Sequence, residues 1–146
     1  MHQVRKTRKS QIGFSLLELM IVVAIVGVIA AIAIPSYTDY VTRANRTDAM
    51  ETISEIMNQQ QRFVLRNRRY ATDLTQIGYG SAVVATVEDF YDITATLCDG
   101  GSTPIQRCVL LTAAPKGRQA GDGDITLTSR GERAWNGNAG WYHRNQ

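Results

Sequence analysis

Glu18 is the residue whose chemistry most demands a partner. Between Phe14 and Ile34 the only polar side chains are Ser15 and Glu18, and from Leu19 to Ile34 there is none. If this run enters a bilayer, a carboxylate within it costs about 2.5 to 3.5 kcal/mol, the figure for the comparable Asp on insertion scales. A single-pass anchor gains nothing from that penalty. Either the side chain snorkels to the headgroups from near the helix end, or a positive group meets it. Gly13 stands just before the run, and Arg5, Lys6, Arg8 and Lys9 stand before Gly13 with no acid among them. A protease that removed only this basic leader would leave an α-amine on Phe14, one helical turn from Glu18 and beside the positive end of the helix macrodipole.

Other chemistry is sparse. The histidines are His2 and His143, near opposite ends of the chain, so no metal cluster or histidine-based acid–base site is expected. No nucleophile motif occurs, no cofactor is expected, and the chain reads as non-enzymatic. Gly121-Asp122-Gly123-Asp124 alternates as a calcium loop would, but lacks the spaced ligands and closing Glu of an EF-hand, and a hairpin turn accounts for it better. Asn45-Arg46-Thr47 fits a glycosylation sequon but falls within a predicted helix. Cys98 and Cys108 are the only cysteines. In an oxidising compartment the pair closes a short loop, which stabilises by roughly 3 kcal/mol in the chain-entropy model; two free buried thiols are the alternative.

These residues need elements to hold them. A helix over residues 14–34 would reach roughly 31 Å, close to the hydrocarbon thickness of a bilayer. The basic leader fixes its orientation: by the positive-inside rule the leader stays cytoplasmic and everything after the apolar helix lies across the membrane. The formal charge of +3 is therefore a poor guide to partners, because the leader carries much of it. Gly27 and Ala31 form a small-xxx-small pair suited to close helix approach. Pro35 removes the amide that would bond the Ala31 carbonyl, so a bend is expected there.

After Pro35 the pattern turns amphipathic. Tyr37, Tyr40, Val41, Ala44, Ala49, Ile53, Ile56, Met57, Phe63 and Val64 recur mostly at spacings of three and four, predicting a helix to about Leu65 with one face on a sheet. An irregular loop follows to about Asp89. Alternation then predicts strands at 90–97, 108–114 and 124–128 and a short one at 132–135. The expected fold class is α+β, a long N-terminal helix packed on a four-stranded antiparallel sheet. The chain divides into a leader (1–13), a membrane or filament-core helix (14–35), an amphipathic helix (36–66), a connecting loop (67–89) and the sheet with the C-terminal region (90–146).

Gly13-Phe14-Ser15-Leu16-Leu17-Glu18 resembles the class III signal of prepilins. The segments Tyr37 to Val41, Arg43 to Arg46, Gln59 to Phe63 and Tyr70 to Leu74 also resemble type IV pilins, most closely a minor pilin, and the sheet does so more loosely. The resemblance implies the pilin fold, cleavage between Gly13 and Phe14, and N-methylation of Phe14. Glu18 would be the fifth mature residue, pairing with the Phe14 amine of a neighbouring subunit. The stretch between Gly27 and Pro35 would lose its helical hydrogen bonds in the assembled fibre. Implied partners are other pilin subunits, the prepilin peptidase and methyltransferase, and the inner-membrane assembly machinery.

The implied course runs from a single-pass inner-membrane precursor, with its C-terminal domain periplasmic, to an extracellular pilus. There it would support pilus biogenesis, twitching motility or adhesion. Many pilins place a disulfide nearer the C-terminus than Cys98–Cys108, a departure that bears on the C-terminal loops. Two alternatives stay open. A secretion-system pseudopilin would share the N-terminus. A DNA-binding competence pilin would use Arg62, Arg66, Arg68 and Arg69, interleaved with Phe63 and Tyr70, to hold phosphates and stack bases. Arginines at a helix C-terminus also complement its dipole and solvate the surface.

Overall fold

The computed structural model describes residues 14–141. The chain divides into two compact units between Asp39 and Tyr40. One helix, α1 (Leu16–Asn67), forms the described part of the first unit and opens the second.

In the first unit α1 is apolar on every side, and Ile21, Val23, Val26, Ile29 and Ile32 are all exposed. A helix apolar on every side is stable only with lipid or other helices around it. Among the described residues it alone is long and apolar enough to cross a membrane. Pro35 does not terminate it. The Thr38 hydroxyl donates to the Pro35 carbonyl at 2.8 Å, a local bond one turn past the missing amide.

In the second unit Asn45, Ala49, Met50, Ile53, Ile56, Met57 and Gln60 form the buried face of α1. They meet a six-stranded antiparallel meander in the order β1 (Val84–Ala85), β2 (Tyr91–Leu97), β3 (Val109–Pro115), β4 (Ile125–Thr128), β5 (Arg133–Trp135) and β6 (Asn138–Ala139). Register puts Ile93, Ala113, Ile125 and Trp135 in one row across β2 to β5, and Ala95, Leu111 and Leu127 in the next. Both rows are buried, so period-two alternation supplies one wall of the core and the helical stripe the other.

The expected sheet of four strands is thus too small by two, β1 and β6. Each is two residues long, too short for alternation to register. The four predicted strands all form, within a residue or so of their expected ends. The connecting loop contains β1 and a 3-10 turn over Leu74–Ile77, capped by Asp73 accepting from the Thr75 amide at 2.9 Å and closed by Gly78 at φ 102°. Tyr37, Tyr40 and Ala44, expected on the sheet-facing stripe, are exposed. Helical spacing identifies an apolar stripe without identifying what covers it.

Candidate functional site

Of the residues expected to serve processing and assembly, Phe14 and Glu18 stand at the start of α1, and Gly27 and Pro35 lie farther along it. Gly13 and the basic leader fall outside the described residues. Ser15 immediately precedes the helix, its carbonyl accepts from the Leu19 amide at 3.1 Å, and Glu18 sits in the first turn. Ser15 and Glu18 therefore stand at the N-cap and N3 positions, with the S-x-x-E spacing of a capping box but no side-chain hydrogen bond between them. The helix dipole favours a negative charge at this place. Gly27 has no heavy atom within 4 Å of where a Cβ would stand, so its lack of a side chain is not required by packing within the chain.

The cysteines form the Cys98–Cys108 disulfide, with both residues buried. The closed loop leaves the end of β2 and returns at the start of β3. Within it the Ile105 carbonyl accepts from the Tyr70 amide at 3.2 Å, and the Ile105 side chain packs on the core. Tyr70 follows the Arg68-Arg69 pair, and Arg107 lies two residues beyond Ile105. The Tyr70–Ile105 bond thus ties the loop that carries Arg107 to the segment directly after Arg62, Arg66, Arg68 and Arg69. All five are exposed, and none makes an ion pair with another described residue. Sequence separation concealed the Tyr70–Ile105 tie, since nothing in the residue pattern joins the loop to the segment after α1.

Arg43, Arg118 and Arg133 are likewise exposed without an ion pair among the described residues, whereas Arg46 and Arg130 are paired. Arg130 donates to both Asp99 carboxylate oxygens at 3.1 Å and to Glu132 at 3.1 Å. Arg46 makes a two-pronged contact with Asp122 and stacks 3.7 Å from the Trp135 ring centroid. The Tyr91 hydroxyl donates to Asp122 at 2.5 Å, and the Gln119 amide donates to the Tyr91 oxygen at 3.2 Å. Burial pushes the Asp122 carboxyl up, but Arg46 and Tyr91 outweigh it and leave the group below the usual carboxylate range. Desolvation, followed by the neighbouring Asp122, pushes the Tyr91 phenol up.

This engagement also accounts for the Gly-Asp alternation at 121–124. Asp122 is committed to Arg46, and among the described residues no group of His, Cys, Asp or Glu is arranged to hold a metal ion.

Comparison with known proteins gives the assembly a family. A family model described as type IV minor pilin ComP, DNA uptake sequence receptor, matches residues 35–128. The chain belongs to the type IV minor pilin family. A second model, the prokaryotic N-terminal methylation motif, matches residues 8–34 of the pilin. Two proteins of Pseudomonas aeruginosa named fimbrial protein are 33% and 34% identical to it over 142 residues, covering 88% of this chain and 85% of each relative. The minor pilin is thus a pilus subunit, and its methylation motif implies assembly with other pilins after prepilin processing.

Proposed function

We propose that this minor pilin is a DNA-binding subunit of a type IV pilus, holding duplex DNA through the arginine surface at the end of α1. The observation that carries the reading is the group of five exposed arginines without ion-pair partners, Arg62, Arg66, Arg68, Arg69 and Arg107. Phosphate contacts need cations free of internal carboxylates, and each contact releases counterions. Phe63 and Tyr70 lie among these arginines in sequence, but Tyr70 is buried and Phe63 half-buried, so backbone charge rather than base stacking dominates the contact. The family model's description as a DNA uptake sequence receptor supports the same reading. The secretion-pseudopilin alternative draws no support from a family of pilus subunits.

Delivery of that surface to the cell exterior follows the pilin route. The precursor spans the inner membrane with the sheet on the periplasmic side, the peptidase cuts between Gly13 and Phe14, and Phe14 is methylated. Glu18 then pairs with the Phe14 amine of a neighbour, Gly27 admits a second helix at close range, and the stretch up to Pro35 gives up helical hydrogen bonds in the fibre. Assembly places this subunit among other pilins, where the arginines face solvent.

The test is duplex DNA binding by the mature, detergent-solubilised chain across a salt series. Replacing Arg66, Arg68 and Arg69 with Ala should weaken binding at every salt concentration and reduce the slope of log K against log salt by about 0.9 for each phosphate no longer neutralised. Binding that is absent, or indifferent to salt and to these arginines, would remove the DNA reading and leave a subunit for biogenesis, motility or adhesion.

A further inference from the structure

Resting on that DNA reading, we propose that the disulfide-closed loop is the positioning element of the basic surface: it carries Arg107 to the end of α1 and holds it beside Arg69. Four of the arginines belong to α1 or to the residues just after it, and their placement needs only the helix. Arg107 comes from a distant part of the chain, so its place depends on whatever fixes the loop.

The loop has little reason to hold one shape unaided. Asp99, Gly100 and Gly101 stand consecutively in the left-handed region at φ 53°, 62° and 94°. Between the cysteines most residues are exposed, and only Thr103 and Ile105 are half-buried. Three ties compensate. Asp99, at the first end, is gripped by Arg130 from the turn after β4 and accepts from the Thr103 hydroxyl at 2.5 Å. Ile105 anchors the middle through its apolar side chain and through the Tyr70 amide. At the far end the Pro104 carbonyl accepts from the Arg107 amide at 2.9 Å and from the Cys108 amide at 3.2 Å, a turn that seats Arg107 directly before the buried cysteine.

Arg107 is thus clamped between a turn and a covalent bond while its guanidinium stays exposed. Opening the disulfide removes the covalent tie between the loop's ends, which then rest on the terminal Leu97–Val109 pairing of β2 and β3. What then locates the loop is the Ile105–Tyr70 bond, with a net worth of about 1 kcal/mol, the half-buried Ile105 side chain and the exposed Arg130–Asp99 pair, weak ties against the entropy of a loosened segment.

The experiment compares the mature full-length chain with Arg107→Ala, with Cys98→Ala/Cys108→Ala, and with the triple variant, in duplex DNA titrations over salt. Arg107→Ala and the double cysteine variant should each weaken binding several-fold and lower the salt slope by about 0.9, one phosphate's worth. The triple variant should be no weaker than either, because both changes remove the same interaction. Amide exchange on the wild type before and after phosphine reduction is the second measurement, needed if the cysteine variant folds poorly. Tyr70 should lose protection on reduction while the amides of β3 keep theirs. A cysteine variant that binds as wild type does, an additive triple variant, or unchanged Tyr70 protection would overturn the positioning role and leave DNA binding through Arg66, Arg68 and Arg69 standing. Absence of DNA binding by the wild type itself would overturn both.

Discussion

Arg68 occupies the position after a helix end that glycine usually fills. Its φ is 55°, and its amide donates to the Val64 carbonyl at 2.8 Å to close the last turn of α1. A side chain in this region costs roughly 1 to 2 kcal/mol, against which glycine carries a larger entropy loss of roughly 0.5 to 1 kcal/mol. Arg68→Gly should therefore raise the unfolding free energy in urea by roughly 0.5 kcal/mol. The same change should weaken DNA binding and take about 0.9 from the salt slope, by deleting one charge from the basic surface. A substitution that raises stability while lowering affinity is the signature of a residue kept for its charge. If stability rises while DNA affinity stays unchanged, Arg68 is only a strained cap and does not contact DNA.

At the scale of elements, the Arg46–Asp122 contact ties α1 to the connection between β3 and β4. Trp135 on β5 joins it, donating its indole NH to the Asp122 carbonyl at 2.7 Å while stacking under Arg46. The folded Asp122 carboxyl lies below its unfolded value, so its contribution to stability is fully present above the unfolded carboxylate pKa of about 3.9 and is lost as pH falls through the folded value. Asp122→Asn should cost roughly 2 kcal/mol at neutral pH, between the worth of an exposed pair and that of a fully buried one. The deficit should shrink as the wild type is titrated below pH of about 4, which parallel urea melts at several pH values would show. An equal deficit at all pH values would assign the loss to packing rather than charge.

None of this clamp was legible in the sequence, where Arg46 read as part of a sequon within a predicted helix and Asp122 as part of a turn. The long helix, the four principal strands and the disulfide were legible, because periodicity, alternation and an isolated cysteine pair are local signals. What escaped is non-local: an ion pair across 76 residues, the two-residue edge strands, and the bond from Tyr70 to Ile105 in the disulfide loop. Gln60 belongs to the same class. It lies fully buried and clasps Ala71 through both backbone groups, at 2.7 and 2.9 Å, pinning the connecting loop to α1.

For the whole molecule, a capping role and a pairing role for Glu18 lead to different outcomes. If the carboxylate only caps its own helix, losing it removes about 1 kcal/mol or less of helix stability and leaves assembly intact. If it neutralises a neighbour's amine, losing it leaves that positive group unpaired among apolar helices, where an isolated charge is far more costly than a missing cap. On the proposed route cleavage falls between Gly13 and Phe14 and precedes assembly, so Glu18→Ala should still yield a mature chain beginning at Phe14 in the membrane fraction. That chain should be depleted at least tenfold from sheared filaments, the factor that forfeiting about 1.4 kcal/mol of interaction would give. Intact mass and N-terminal sequencing of both fractions read processing and incorporation together. A Glu18→Ala chain that enters filaments as the wild type does would reduce Glu18 to its capping role. A wild-type chain that retains Met1 in the filaments would instead show that the leader is not removed, and the Phe14 amine on which the pairing depends would not exist.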